Sequence, residues 1–147
     1  MKINNYFSLE IPSKSVNESF ARVVVAAFAA QLDPTLEELN DVKTAVSEAV
    51  TNAIIHGYAE TGEKGIIYIK AELKDNGIII EVEDKGVGIA NLQKAMEPLY
   101  TSKPELERSG MGFTIMENFM DKVEVDTEVG RGTRVVLAKK FSSRQEE

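Results

Sequence analysis

The spacing of apolar and polar residues changes along this chain, and the changes predict alternating helices and strands. Residues 3–11 alternate loosely between the two types and predict an edge strand. Ser15 stands three residues before Glu18, the spacing of a capping box, and predicts the start of a helix over about residues 15–32. A second helix is predicted over about residues 35–55, because an Asp-Pro pair interrupts the helical pattern before it.

Two β-hairpins are predicted after the second helix, one on each side of a short helix over residues 111–120. Lys74-Asp75-Asn76-Gly77 marks the turn of the first hairpin, since these residues favour the tight turns that join antiparallel strands. The predicted strands occupy residues 66–73, 78–83, 121–128 and 131–140. The order of elements predicts one domain over residues 1–147 of the α/β (α+β) class, a two-layer sandwich in which helices cover one face of a mostly antiparallel or mixed sheet.

Composition excludes several classes of function. The chain has 147 residues, 43% of them hydrophobic, which fits one domain with a real core. It contains no cysteine and one histidine, so disulfides, thiolate metal sites and a zinc site are not expected. A net charge of −7 argues against nucleic acid as a direct partner, because phosphate neutralisation needs a basic face. Neither a membrane span nor a signal-peptide core is evident, so we expect a cytoplasmic protein with protein partners.

Three polar residues recur every four positions on the second helix: Glu48, Asn52 and His56. They lie along the edge of an apolar stripe that is expected to face the sheet, formed by Val42, Ala45, Val46, Ala49, Val50 and Ala53. An asparagine oxygen at such an edge can ligate Mg²⁺, and a carboxylate one turn earlier can orient or deprotonate an attacking hydroxyl. The alternative is a solvated helix face, and His56 is interpreted as structural at the helix end.

A carboxylate followed by two glycines ends the first predicted hairpin. The period of two along strand 78–84 places Asp84 on the same face as the apolar residues of that strand, at the rim of the core. Gly86 and Gly88 follow, and their lack of side chains allows a flat group to approach the backbone. Adenine fits this site, because its exocyclic amine can donate a hydrogen bond to Asp84. The alternative is an ordinary turn at the end of a strand.

A third glycine motif, Gly110-x-Gly112, opens the third predicted helix. Backbone N–H groups of Ser109, Gly110, Met111 and Gly112 would then be free to hold phosphates at the positive end of the helix. No Gly-Lys-Ser/Thr follows, which excludes a Walker A loop. The preceding polar segment carries the cations Lys103 and Arg108 and predicts either a mobile lid over the γ-phosphate or an ordinary surface loop.

The first predicted helix is apolar nearly all round. One side is predicted to pack on the core and consists of Phe20, Val23, Val24, Ala27 and Phe28. The opposite side is too apolar to meet only water, although alanines there can also serve simply as good helix formers. We therefore predict that this opposite side contributes to a homodimer or to a contact with a partner protein, with Arg22 as a polar anchor.

These motifs together resemble the GHKL superfamily, whose ATP-binding fold is called the Bergerat fold. Glu48-x-x-x-Asn52 matches the N box of that superfamily, and Asp84-x-Gly86-x-Gly88 matches its G1 box. The resemblance extends over nearly the whole chain. It implies that ATP and Mg²⁺ are bound, with Glu48 as general base and Asn52 as Mg²⁺ ligand.

The remaining matches point to one branch of the superfamily. Gly110-x-Gly112 matches the G2 box, and Thr133 matches a threonine that lies near the adenine. The chain is most similar to the small anti-sigma-factor serine kinases, and this likeness implies that Arg108 assists at the γ-phosphate.

Such proteins bind and inhibit a sigma factor, here a sporulation sigma factor, and phosphorylate a serine on a small anti-anti-sigma protein. The resemblance also implies a homodimer, with neither nucleic acid nor membrane as a direct partner. Two alternatives stay open. One is a sister kinase that controls a general-stress sigma factor, and the other is a non-catalytic, nucleotide-gated interaction module.

Overall fold

The computed structural model describes residues 4–58, 65–92, 96 and 112–142, and these form a sheet covered by helices. The five strands are β1 (Asn5–Pro12), β2 (Ile66–Lys74), β3 (Gly77–Asp84), β4 (Lys122–Glu128) and β5 (Gly132–Lys140). Their order across the sheet is β1-β2-β3-β5-β4, and every neighbouring pair is antiparallel. The predicted α/β two-layer class is confirmed, and β1 is the edge strand that its loose alternation predicted.

Three α-helices are present in the described ranges: α1 (Val16–Ala29), α2 (Leu36–Asn52) and α3 (Gly112–Phe119). A 3₁₀ turn (Ala30–Leu32) follows α1, and a π-helical turn (Ala53–Tyr58) follows α2. No helix of the described residues is long and apolar enough to cross a membrane.

The predicted capping box at Ser15 and Glu18 is wrong. Ser15 has helical backbone angles and makes no side-chain cap, because the backbone N–H groups of Asn17 and Glu18 already donate to the carbonyls of Lys14 and Ser15. A complete capping box lies instead at the start of α2, where Glu38 donates its N–H to the Thr35 hydroxyl and accepts from the Thr35 N–H. The start of α2 is therefore fixed by local hydrogen bonds.

The first hairpin turn is of the type that its sequence predicts. Asp75 and Asn76 both have positive φ, 53° and 61°, as a type I′ turn requires. Gly77 already belongs to β3 and pairs with Lys74. Strand β3 therefore runs in fixed register from this turn to Asp84, which pairs with Ile67 on one side and Thr133 on the other.

The core lies between the helices and one face of the sheet. The whole predicted stripe of α2 is buried, from Val42 to Ala53. It packs with the inward side chains of the sheet, which include Ile67, Ile69, Ile80 and Leu137. Burial of this apolar area is the main force that holds α2 on the sheet.

The orientation predicted for α1 is reversed. Its buried residues are Ala21, Val25, Phe28 and Ala29, whereas Phe20 and Val23 are exposed to 49% and 60%. Small alanines let α1 approach α2 closely, and the larger side chains then remain outside. Phe28 is the one residue of the predicted core side that is buried. It packs edge-on against Phe7 of β1, with the two ring centroids 4.8 Å apart.

Candidate nucleotide-binding site

The N-terminus of α3 lies directly against the polar row of α2. A Cβ atom added to Gly112 would stand 3.0 Å from Nδ2 of Asn52 and 3.4 Å from an Oε of Glu48. A side chain at position 112 would require these two side chains to give way by a few tenths of an ångström, so glycine favours this close approach. The structure therefore brings Glu48, Asn52 and Gly112 together, although 60 positions separate Asn52 from Gly112.

The three polar residues of α2 lie at the border of the core, as the helical period predicts. Glu48, Asn52 and His56 are each half-buried, between a buried stripe and solvent. Such a border allows a side chain to be held by its neighbours while its polar end reaches a cleft. Glu48 and Asn52 are one turn apart and face α3 together.

Asp84 is the one buried charged residue of the described ranges, with 6% of its surface exposed. Its Oδ1 accepts a hydrogen bond from the Gly86 N–H at 2.9 Å. Burial raises the pKa of Asp84 to about 6, the charge of Glu83 adds to that rise, and backbone hydrogen bonds from Gly86 and Thr133 partly offset it. A carboxylate that is so deeply buried is stabilised by a ligand that donates another hydrogen bond.

The glycines after Asp84 are needed first by the protein itself. A Cβ at Gly86 would overlap the carbonyl oxygen of Gly57, and a Cβ at Gly88 would overlap that of Glu128. Gly88 also has φ 77°, which favours glycine. Both glycines were predicted to allow the approach of a flat ligand. In the structure their immediate neighbours are backbone groups, which fix the loop before any ligand arrives.

Hydrogen bonds hold the loop over residues 85–89 from two sides. The Val87 N–H donates to the Gly57 carbonyl at 3.0 Å, and the Val87 carbonyl accepts from the Gly130 N–H at 2.9 Å. The Ile89 N–H donates to the Thr127 hydroxyl at 2.8 Å. The loop is thus bound both to the end of α2 and to the β4–β5 hairpin.

Gly57 and Thr127 also belong to this site, although neither was predicted from the sequence. The Thr127 hydroxyl lies 2.8 Å from that of Thr133, its partner across the β4–β5 ladder, so it orients the threonine that the resemblance places near adenine. The predicted hairpin register could have pointed to Thr127. No comparable signal marks Gly57, because its contacts with Asp84 and Gly86 are made across the fold.

Some predicted site residues lie elsewhere. Lys103, Arg108, Ser109, Gly110 and Met111 lie outside the described residues. Arg22 is on the flank of the buried side of α1, where its guanidinium is 3.8 Å from the Glu18 carboxylate. The side of α1 predicted to form an interface is the buried one, with Val25 and Ala29 inaccessible, so that prediction is wrong for the side as a whole. A contact through Arg22 itself stays a prediction.

Residues 11–139 match the family described as "Histidine kinase-like ATPase domain". This match covers most of the chain, and the protein belongs to that family. Its class is therefore that of ATP-binding kinase domains, and the GHKL resemblance is confirmed.

Its relatives narrow the class to anti-sigma factors. The chain is 64% identical to an anti-sigma F factor of Clostridium beijerinckii, over 95% of this chain and 96% of the relative. It is 60% identical to an anti-sigma F factor of Clostridium acetobutylicum, over the same shares of the two chains. Among solved structures, the RsbU and RsbW domains of a Mycobacterium tuberculosis protein have the same fold, with a TM-score of 0.67 at 20% identity, over 95% of this chain and 32% of that one.

The buried carboxylate gives the protein a defined pH dependence. Because the folded-state pKa of Asp84 is raised from 3.8 to about 6, the folded state binds more protons than the unfolded state between those values. Stability should therefore fall as pH rises through this window, by about 3 kcal/mol for this group.

The test is urea unfolding of the wild type and Asp84→Asn at pH 4 and pH 7.5. We expect the wild type to lose stability relative to the variant as pH rises. An equal change in the free energy of unfolding of both proteins would contradict the raised pKa of Asp84.

Proposed function

We propose that this protein is an anti-sigma factor that binds and inhibits a sporulation sigma factor and phosphorylates a serine of an anti-anti-sigma protein with Mg-ATP. The observation that carries the proposal is the close approach of Gly112, at the start of α3, to the side chains of Glu48 and Asn52. It supports Glu48 as the base and Asn52 as a metal ligand, because the N-terminus of a helix favours phosphates.

Asp84 and its surroundings fit the adenine end of the nucleotide. The carboxylate already accepts from Gly86, and its remaining lone pairs can accept the exocyclic amine. Gly86, Gly88 and Thr133 complete this end of the site. A hydrogen bond formed in so buried a position discriminates strongly against bases that lack the donor.

Glu48 and Asn52 fit the reacting end. Asn52 offers an amide oxygen to Mg²⁺, which usually takes its other ligands from phosphates and water. In the described part of the chain no group of three acidic or histidine side chains could hold a metal alone. ATP would supply the γ-phosphoryl group to the serine oxygen and leave as ADP, and Glu48 would orient the serine hydroxyl and accept its proton. Lys103, Arg108, Ser109, Gly110 and Met111 are assigned to the phosphates on the family resemblance.

Similarity over nearly the full chain supports the sporulation sigma factor over the general-stress alternative. The relatives at 60–64% identity are named anti-sigma F factors, whereas the likeness to an RsbW domain is at 20% identity. The presence of Glu48 beside α3 favours a kinase over a non-catalytic module. A sigma factor as partner implies that the protein acts in the cytoplasm.

A homodimer is supported by the outer side of α1. Val16, Phe20 and Val23 are exposed there to 72%, 49% and 60%, a larger apolar surface than a helix facing water needs. Strand β1 is also an edge of the sheet, and its outer edge pairs with no described strand. A second copy related by two-fold symmetry would cover the exposed apolar side of α1, and pairing at an open strand edge is a common further contact between copies.

The direct test of the function is incubation with an anti-anti-sigma protein and labelled ATP. We expect incorporation on one serine, and we expect sigma-factor capture that differs between ATP and ADP. Nucleotide-dependent sigma capture without phosphorylation would favour the non-catalytic module. Preference for a stress sigma factor would favour the sister kinase.

Asp84→Asn should lower ATP affinity by about 2 kcal/mol, roughly 30-fold, because a charge-assisted hydrogen bond is lost. Calorimetry measures the effect, with circular dichroism to confirm that the variant is folded. Unchanged affinity in a folded variant would exclude Asp84 as the adenine ligand.

Glu48→Gln should keep Mg-ATP binding and lose most phosphoryl transfer, since only proton transfer and hydroxyl positioning are removed. Asn52→Ala should instead weaken binding in the presence of Mg²⁺. Single-turnover kinetics and calorimetry separate the two effects. Normal transfer by Glu48→Gln would show that another group is the base.

Val23→Glu should weaken self-association at least tenfold, because it places a charge in the apolar surface proposed for the dimer. Val129→Glu is the matched control, since Val129 is equally exposed at the tip of the β4–β5 hairpin. Arg22→Glu should weaken self-association or sigma binding while ATP binding survives. Sedimentation measures association, and unchanged behaviour of Val23→Glu would place the interface elsewhere.

A further inference from the structure

The π-helical turn after α2 brings Gly57 into the centre of the candidate site. Gly57 is buried, and a Cβ added there would stand 2.8 Å from Cγ of Asp84 and 2.9 Å from its Oδ1. Real Cβ atoms essentially never come so close to another heavy atom. The bare Cα of Gly57 therefore forms one wall of the space that the Asp84 carboxyl occupies.

The absence of a side chain at this position is not a demand of the backbone. The described glycines with positive φ are Gly88, Gly130 and Gly132, and Gly57 is not among them. Alanine is also a better helix former than glycine. What requires glycine at position 57 is contact with other residues.

Neither neighbour can easily move away from a new methyl group. The Asp84 carboxyl is held by the Gly86 N–H at 2.9 Å, and rotating it would break this bond within a buried site. The π-helical turn after α2 is also fixed in place, since the Gly57 carbonyl accepts a hydrogen bond from the Val87 N–H at 3.0 Å and lies against Gly86. Either shift would displace the carboxylate relative to the loop that follows it.

We propose that Gly57 is a positioning residue for the recognition of adenine. Its bare Cα sets the place of the Asp84 carboxylate, and its carbonyl ties the helix of Glu48 and Asn52 to the loop over residues 85–89. The proposal rests on the proposed function, in which Asp84 binds the exocyclic amine of adenine. It goes further by making the end of α2 part of the adenine site. The two ends of the nucleotide are then aligned by one helix.

The experiment compares the affinity of the full chain for ATP and for purine riboside triphosphate, which lacks the exocyclic amine. The wild type should prefer ATP about tenfold or more, as expected for one buried hydrogen bond. Gly57→Ala should reduce this preference several-fold, because the displaced carboxylate no longer meets the amine. If Gly57 had only a structural role, Gly57→Ala would weaken the binding of both nucleotides equally.

Gly77→Ala is the matched control. A Cβ there would stand 2.8 Å from the Lys139 carbonyl oxygen, so the change is equally crowded, but Gly77 is at the opposite end of β3 from Asp84. This variant should be destabilised and keep the preference for ATP. An unaltered preference in Gly57→Ala would overturn the proposal. If the wild type itself has no preference, the adenine assignment fails, and the proposal fails with it.

A second measurement needs no nucleotide. Gly57→Ala should lower Tm in the wild-type background, and it should lower Tm less, or raise it, in an Asp84→Ala background, where the carboxyl has gone. If Gly57→Ala does not fold, adding Asp84→Ala should restore folding. Equal losses of Tm in both backgrounds, or no rescue, would overturn the proposal.

Discussion

A buried carboxylate between two closely packed segments is the constraint on which this structure depends. Asp84 is nearly inaccessible, its carboxyl lies close to the bare Cα of Gly57, and it accepts a hydrogen bond from the Gly86 N–H. A charge in such a place costs free energy unless hydrogen bonds compensate, and burial outweighs the two backbone donors here. A site arranged in this way is stabilised by a ligand that brings a further donor.

The same contacts hold the two layers of the fold together at the site. In the loop after β3, the Val87 N–H donates to Gly57 in the turn that follows α2. The same loop is bonded to the β4–β5 hairpin, because the Val87 carbonyl accepts from Gly130 and the Ile89 N–H donates to Thr127. At the far end of α2, Lys139 of β5 forms an ion pair with Asp41 at 3.5 Å and donates to the Phe119 carbonyl at the end of α3. The helices that carry Glu48, Asn52 and Gly112 are therefore fixed to the sheet that carries Asp84.

Much of the site was predictable because its residues belong to regular elements. The period of a helix places Glu48 and Asn52 on one edge of α2, and the period of a strand places Asp84 on the buried face of β3. What periodicity cannot supply is contact between elements. The approach of Gly112 to Asn52 and the packing of Gly57 on Asp84 arise only when the sheet and helices are assembled.

The sequence by itself determined the elements, the hairpin turn at Asp75 and Asn76, the buried stripe of α2 and the resemblance to an ATP-binding kinase family. Only the tertiary structure decided the orientation of α1. Its residues are apolar nearly all round, so burial energy hardly distinguishes one side from the other. The buried side carries the small residues Ala21 and Ala29, which favour close packing, whereas the larger Phe20 stays exposed. Such an effect depends on the shape of the neighbouring helix, which no local pattern in α1 contains.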